Sequence, residues 1–276
     1  MKELIIRTLT GIVYVALIVS GIVSNTYTFL TLFSIITILC LWEFYGLINE
    51  QKRAQINLWY NCFGGFLLFV SSYLFASGVF DHAIFFPYLL YIIILFVAEL
   101  YEKQQDPIHH LAYVFLGQCY IALPLSMLNL IAFPSAEIGI YNYYPLFVLA
   151  LFVYIWVSDS GAYLVGVCCG KHRLFERISP HKSWEGFFGG LFLAVASAFI
   201  FAYFEQTIPW YHWVGLAVVV VVFGTWGDLV ESLIKRTLAV KDSGKILPGH
   251  GGFLDRLDSL LLAVYAMLFY VQLFVR

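Results

Sequence analysis

Apolar positions along this chain fall in long unbroken runs, separated by short polar breaks. Nine runs stand at 5–23, 26–48, 57–79, 83–100, 110–133, 143–166, 187–204, 211–234 and 257–275. Runs of about 20 apolar residues are long enough, as helices, to cross a hydrocarbon core about 30 Å thick. The runs are continuous, not alternating, which argues against a transmembrane β-barrel. Within lipid each segment must pair its own backbone N–H and C=O groups, and a helix does so. The expected fold is therefore an all-α polytopic membrane protein of about nine transmembrane helices. The connections leave no room for a soluble domain, and no internal repeat is visible.

Composition agrees: 62% of residues are apolar and 12% charged, against roughly 25% charged in soluble domains. The net charge of −2 comes without a basic stripe outside the loops, so a nucleic-acid partner is not expected. Cys40, Cys62, Cys119, Cys168 and Cys169 lie in or beside apolar runs without zinc-site spacing, and they read as free, buried thiols. The first run follows Lys2, Glu3 and Arg7 but lacks a small-x-small cleavage site, so it reads as a retained span.

The loops set the orientation. With the N-terminus inside, the inside segments are the chain start, 49–56, 101–109, 167–186 and 235–256. Together with Arg7, just within the first span, they hold every Lys and Arg except Arg276. Setting aside the two long loops leaves Lys2, Arg7, Lys52, Arg53 and Lys103 inside against Arg276 outside, so the sign persists. The two long inside loops, 167–186 and 235–256, are rich in Gly, Lys, Arg and His. Both fall late in the chain. The expected organisation is an N-terminal scaffold of about five spans over 1–142 and a catalytic region of about four spans over 143–276.

Acids interrupt the later spans. In "GTWGDLVESLIKR", Asp228, Glu231, Ser232 and Lys235 share one helical face. In "YIWVSDSGAYLVG", Asp159 sits at similar depth between Ser158 and Ser160. The last span opens on Asp255, Asp258 and Ser259 at i, i+3 and i+4. A carboxylate at such depth costs several kcal/mol unless paired, hydrated or bound to a cation. The bland alternative is an interhelical ion-pair network with Lys235 and Arg236. Three acidic faces beside Gly-rich basic loops instead point to a polar cavity opening on the cytoplasm.

The residue types fix the chemistry. Carboxylate oxygens without His or Cys ligand spacing suit Mg²⁺, which takes one or two carboxylates plus substrate phosphates. Lys182, Lys235, Arg236, Lys241, Lys245 and Arg256 would meet phosphate oxygens. Gly244, Gly249, Gly251 and Gly252 let backbone N–H groups approach an anion. This reads as a phosphoryl- or nucleotidyl-transfer site. His250 reads either as a loop hydrogen-bonder or as an acid–base group, and the other histidines receive no role. Walker, GxSxG and HExxH motifs are absent from the sequence.

The stretch "SLIKRTLAVKDSGKILPGHGGFLDRLDS", Ser232 to Ser259, resembles the signature of the phosphatidate cytidylyltransferases: S-x-x-K-R-x4-K-D, a short spacer, then H-G-G-x-x-D-R-x-D. "SDSGAYLVG", "GKHRL" and "ISPHKSWEG" agree with a second family block. The two blocks cover about a third of the chain. One departure stands at Val167, where members often carry Arg or Lys directly after the glycine at Gly166, so one phosphate-facing charge is missing or supplied elsewhere.

The resemblance implies condensation of CTP with phosphatidic acid, using Mg²⁺, to give CDP-diacylglycerol and pyrophosphate. It implies a bundle of about nine spans, often a homodimer, in the cell (inner) membrane of a bacterium with the site facing the cytoplasm. Residue by residue, it maps the metal ligands onto Asp228 and Asp255. Lys235 and Arg256 complete the expected catalytic set. The expected substrate-binding set is Asp159, Lys182, Ser232, Arg236, Lys241, Asp242, His250 and Asp258. The implied mechanism is in-line attack without a covalent intermediate. The rivals are a CTP-dependent polyprenol or phytol kinase, an ether-lipid cytidylyltransferase and, more distantly, a cation transporter. A transporter would show inverted repeats and acids near the midplane.

Overall fold

The computed structural model describes residues 2–102, 106–134, 142–244 and 251–275. The helices are α1 Lys2–Val23, α2 Thr26–Glu50, α3 Leu58–Ala76, α4 Phe86–Tyr101, α5 Pro107–Gly117, α6 Leu123–Ala132, α7 Pro145–Cys169, α8 Trp184–Phe204, α9 Trp210–Thr237 and α10 Asp258–Tyr270. A π turn, Gln118–Ala122, fuses α5 and α6 into one span. Among the described residues, eight segments are helical, long and apolar enough to cross a membrane, and α1 adds the apolar stretch Thr8–Val23. The all-α polytopic expectation holds. The protein is an integral membrane protein.

Two compact units divide the chain: Met1–Tyr144 with Val240–Arg256, and Pro145–Ala239 with Leu257–Arg276. The loop that carries the Ser232–Ser259 signature is thus split, most of it grouping with α1–α6.

Buried polar side chains join the helices of the first unit. Gln118, in the π turn, donates from Nε2 to the Asn61 carbonyl (2.9 Å) and to the Tyr45 hydroxyl (3.1 Å), while Tyr45 donates to the Val114 carbonyl (2.8 Å). Ser72 donates to the Ser126 carbonyl at 2.7 Å. The Glu99 carboxylate lies 2.6 Å from His110 Nδ1, tying α4 to α5. In lipid such bonds hold helices together where apolar contact alone discriminates poorly.

In the second unit, small residues let backbones close up. A Cβ at Gly190 of α8 would stand 2.5 Å from the Ser158 carbonyl of α7, and one at Gly186 would stand 2.8 Å from that of Ala162. Between α7 and α8 the chain forms an antiparallel hairpin, β1 Arg173–Phe175 with β2 Ser179–Ser183. The sequence reads 167–186 simply as a loop. The hairpin instead lets a short basic segment pair its own backbone groups, and Ser183 then caps α8 by accepting from Gly186 N at 3.1 Å.

One expectation needs correction. Cys40 and Cys62 are buried, but Cys119, Cys168 and Cys169 are exposed on the protein. An apolar run assures contact with lipid or protein without choosing between them, because lipid tails are as apolar as a core.

Candidate active site

Residues of α7, β1, β2, α8, α9 and α10, all in the second unit, line a cavity of about 320 Å³. Its polar lining includes Asp159 and Tyr163 of α7, His181 and Lys182 of β2, and Thr225 and Asp228 of α9; Ser259 of α10 joins them. Lys182 Nζ lies 2.5 Å from Asp228 Oδ2, with both side chains a little over a quarter exposed. Ser232, one turn along α9, donates to Asp228 Oδ1 at 3.3 Å. Asp258, half-buried at the start of α10, feels the charges of Asp228, Asp159 and Lys182. Lys182 pairs with Asp228, and Asp159 lines the same cavity. The hairpin brings Lys182 here, and Gly227 brings α10 close enough: a Cβ at that position would stand 2.6 Å from the Asp258 carbonyl.

The polar face of α9 resolves into two adjacent pairs. Asp228 and Ser232 belong to the cavity cluster, whereas Lys235 pairs with the buried Glu231 one turn back. Ion pairing with Lys235 and Arg236 was the bland alternative for the deep aspartates, yet Asp228 takes Lys182 instead. Arg236 is exposed near the end of α9.

A second carboxylate centre lies in the first unit, in the loop after Ala239. Asp255 accepts from Ser243 N at 3.2 Å (Oδ1) and 3.0 Å (Oδ2), and from Gly252 N at 2.9 Å (Oδ2). Gly251 adopts φ +82°, a conformation a side chain resists, and a Cβ there would stand 2.7 Å from Asp255 Oδ2. Lys241, Asp242 and Arg256 are exposed. The Arg256 carbonyl accepts from Tyr14 OH at 3.4 Å. His250 and Lys245 lie outside the described residues. Asp255 does not open the last helix as its spacing suggested. It sits in a 3₁₀ turn, Leu254–Arg256, while α10 begins at Asp258.

Of the expected site residues, Asp159, Lys182, Asp228, Ser232 and Asp258 come together in one unit. Asp255 belongs to the other, with Lys241, Asp242 and Arg256 on the same loop segment. Four residues escaped the sequence reading, among them His181 of the cavity lining, which the sequence left without a role. Tyr163 and Thr225 look unremarkable inside apolar runs. Glu43 of α2 is buried and accepts from Leu254 N at 3.0 Å. Its signal was present, as a lone acid in "LCLWEFYGL", but the early spans read as scaffold.

Residues 5–274 match the model of the cytidylyltransferase family. The chain is 50% identical over 123 residues to the phosphatidate cytidylyltransferase of Bacillus subtilis, covering 44% of this chain and 46% of that protein. It is 47% identical over 116 residues to the protein of the same name from Staphylococcus aureus (strain COL), covering 42% and 45%. These two matches span under half of either relative. A third runs nearly end to end: 31% identity over 281 residues to the Haemophilus influenzae phosphatidate cytidylyltransferase, covering 94% of this chain and 95% of that protein.

Proposed function

This chain belongs to the cytidylyltransferase family, and from that premise we propose that it transfers a cytidylyl group from CTP to phosphatidic acid in phospholipid synthesis. The observation that carries the reading is the near full-length similarity to a relative of that name. A phosphate oxygen of phosphatidate attacks the α-phosphorus of CTP. A new P–O bond forms, the bond to the β-phosphate oxygen breaks, and pyrophosphate leaves with that electron pair. Phosphatidate arrives largely ionised, so no strong general base is needed.

Each unit offers one carboxylate proposed to hold Mg²⁺: Asp228 and Asp255. The donor chemistry fits a hard cation. Asp228 is partly exposed on a cavity that Asp159 also lines, with Asp258 close by. Asp255 is a hard carboxylate donor on a glycine-rich loop, the ligand type Mg²⁺ takes. When bound, Mg²⁺ neutralises charge on the reacting phosphates. Lys182 holds Asp228 in place and would offer its ammonium to a substrate phosphate at the cavity. Arg256 presents a planar fork suited to a phosphate. Lys235, Arg236, Lys241, Asp242 and His250 complete the proposed set on the grounds of the sequence signature. The positive-inside bias supports a site facing the cytoplasm of a bacterial cell membrane.

The test uses purified protein with phosphatidate, Mg²⁺ and CTP carrying label on either the α- or the γ-phosphate. Cytidylyl transfer puts α-label into lipid and leaves γ-label in pyrophosphate. A CTP-dependent lipid kinase does the reverse with its own lipid acceptor, and lipid labelled only from the γ-position would overturn the reading.

A further inference from the structure

Glu43 lies on α2, among helices the sequence marks as scaffold, yet its carboxylate is built into the Asp255 loop. It is 6% exposed. Oε2 accepts from Leu254 N at 3.0 Å and, more weakly, from Ser243 Oγ at 3.5 Å, while Oε1 has no hydrogen-bond partner among the described residues. The loop is shaped around it. A Cβ at Gly244 would stand 2.6 Å from Oε1, and one at Gly252 would overlap Oε2. A buried carboxylate with so few partners costs several kcal/mol in a membrane protein, and here the loop's own N–H groups supply the compensation.

Ser243 links this contact to the site. Its hydroxyl goes to Glu43 and its backbone N–H goes to Asp255. Gly252 N and Leu254 N, two residues apart, divide in the same way, the first to Asp255 and the second to Glu43. Donors of the same loop residues are thus divided between the two carboxylates.

We propose that Glu43 is a positioning residue for cytidylyl transfer: it clamps Ser243 and Leu254 from α2 and thereby fixes the direction of the Asp255 carboxylate. This rests on the reading of Asp255 as a cation ligand. Glu43 acts through the loop and touches neither substrate nor cation.

The experiment compares Glu43→Ala, Glu43→Gln and Gly244→Ala as full-length proteins. Three readouts apply: hydrogen exchange of peptides carrying Ser243 and Gly252–Leu254, Mn²⁺ binding by EPR without substrate, and kcat and KM for CTP. In Glu43→Ala, loop exchange rises at least about tenfold with peptides of α3 and α9 unchanged. Mn²⁺ affinity and kcat each fall about tenfold or more. Glu43→Gln keeps an oxygen for Leu254 N and restores most of all three. Gly244→Ala, which leaves α2 intact, reproduces the Glu43→Ala pattern and decides the matter if that variant does not fold. Faster loop exchange with wild-type Mn²⁺ affinity and kcat would reduce the clamp to a structural contact. Glu43→Gln as damaging to Mn²⁺ binding as Glu43→Ala would make Glu43 a ligand and overturn the proposal. A wild-type protein that makes no cytidylylated lipid sinks the proposed reaction, and exchange and Mn²⁺ binding still judge the clamp.

Discussion

In the unit built on α7–α10, Asp228 is held by side chains: Lys182 at 2.5 Å and Ser232 at 3.3 Å. In the unit that contains α1–α6, Asp255 is held by backbone, through the N–H groups of Ser243 and Gly252. The first arrangement is electrostatic, a set of charges on rigid helices around a cavity. The second is conformational, a loop whose glycines permit a path that presents N–H groups to a carboxylate. Two aspartates with the same proposed task should therefore fail in different ways. Damage at the first should follow charge. Damage at the second should follow loop geometry as well.

The largest expected effect comes from removing charge at the side-chain centre. Asp228→Asn should lower kcat for cytidylyl transfer by about 10²–10³-fold, the scale for losing one preorganised electrostatic group, with extraction and melting unchanged. Activity above about a tenth of wild type would break the assignment of Asp228 to the cation.

Next is Lys182→Met, which leaves Asp228 facing the cavity without its cation. A hydrogen bond to a charged group contributes about 1.5–3 kcal/mol, so kcat/KM for CTP should fall about 10–100-fold. Helical content by circular dichroism should not change. A drop confined to thermal stability would show the pair to be structural and would blur the contrast between the units.

Gly251→Val tests the loop side. At φ +82° a β-branched residue is strained by about 1–3 kcal/mol, and its Cβ meets Asp255 Oδ2. The expected loss is about tenfold in kcat/KM. Hydrogen exchange should rise in peptides carrying Ser243 and Gly252–Leu254 but not in those of α7 and α9. Wild-type rates at low CTP would make the loop a passive cap.

The smallest effect is expected from Arg256→Lys. Charge is kept and the planar fork is lost, so kcat/KM should fall about three- to tenfold, with less loss of binding than Arg256→Ala suffers. If Lys restored full activity, Arg256 would act as a point charge, and the loop would resemble the electrostatic centre more than the contrast allows.

Much of this was legible along the chain. A lone acid in an apolar run is expensive wherever the helix packs, so Asp159 and Asp228 declare a polar interior before any contact is known. Their i, i+4 neighbours follow from helical geometry, and Ser232 does bond Asp228. The family resemblance rested on glycines and charges at fixed spacing, which survive in the linear order. Glu43 obeyed the same rule but stood far from the other acids in sequence, and nothing local tied it to a loop some 200 residues later.

The sequence by itself determined the all-α polytopic class, the orientation bias and the residue types proposed for the site, because hydrophobic length and charge cost are local properties. Only the tertiary structure decided which partners those residues take. It gave Lys182 to Asp228 by folding 173–183 into a hairpin, and it assigned the Asp255 loop to α2 by way of Glu43. It also set Cys119, Cys168 and Cys169 on the outside of the protein. In a membrane, water drives an apolar helix into lipid without choosing which face meets another helix. That choice falls to close packing at glycines and to the few polar groups that must find one another, and neither is written in the hydrophobic pattern.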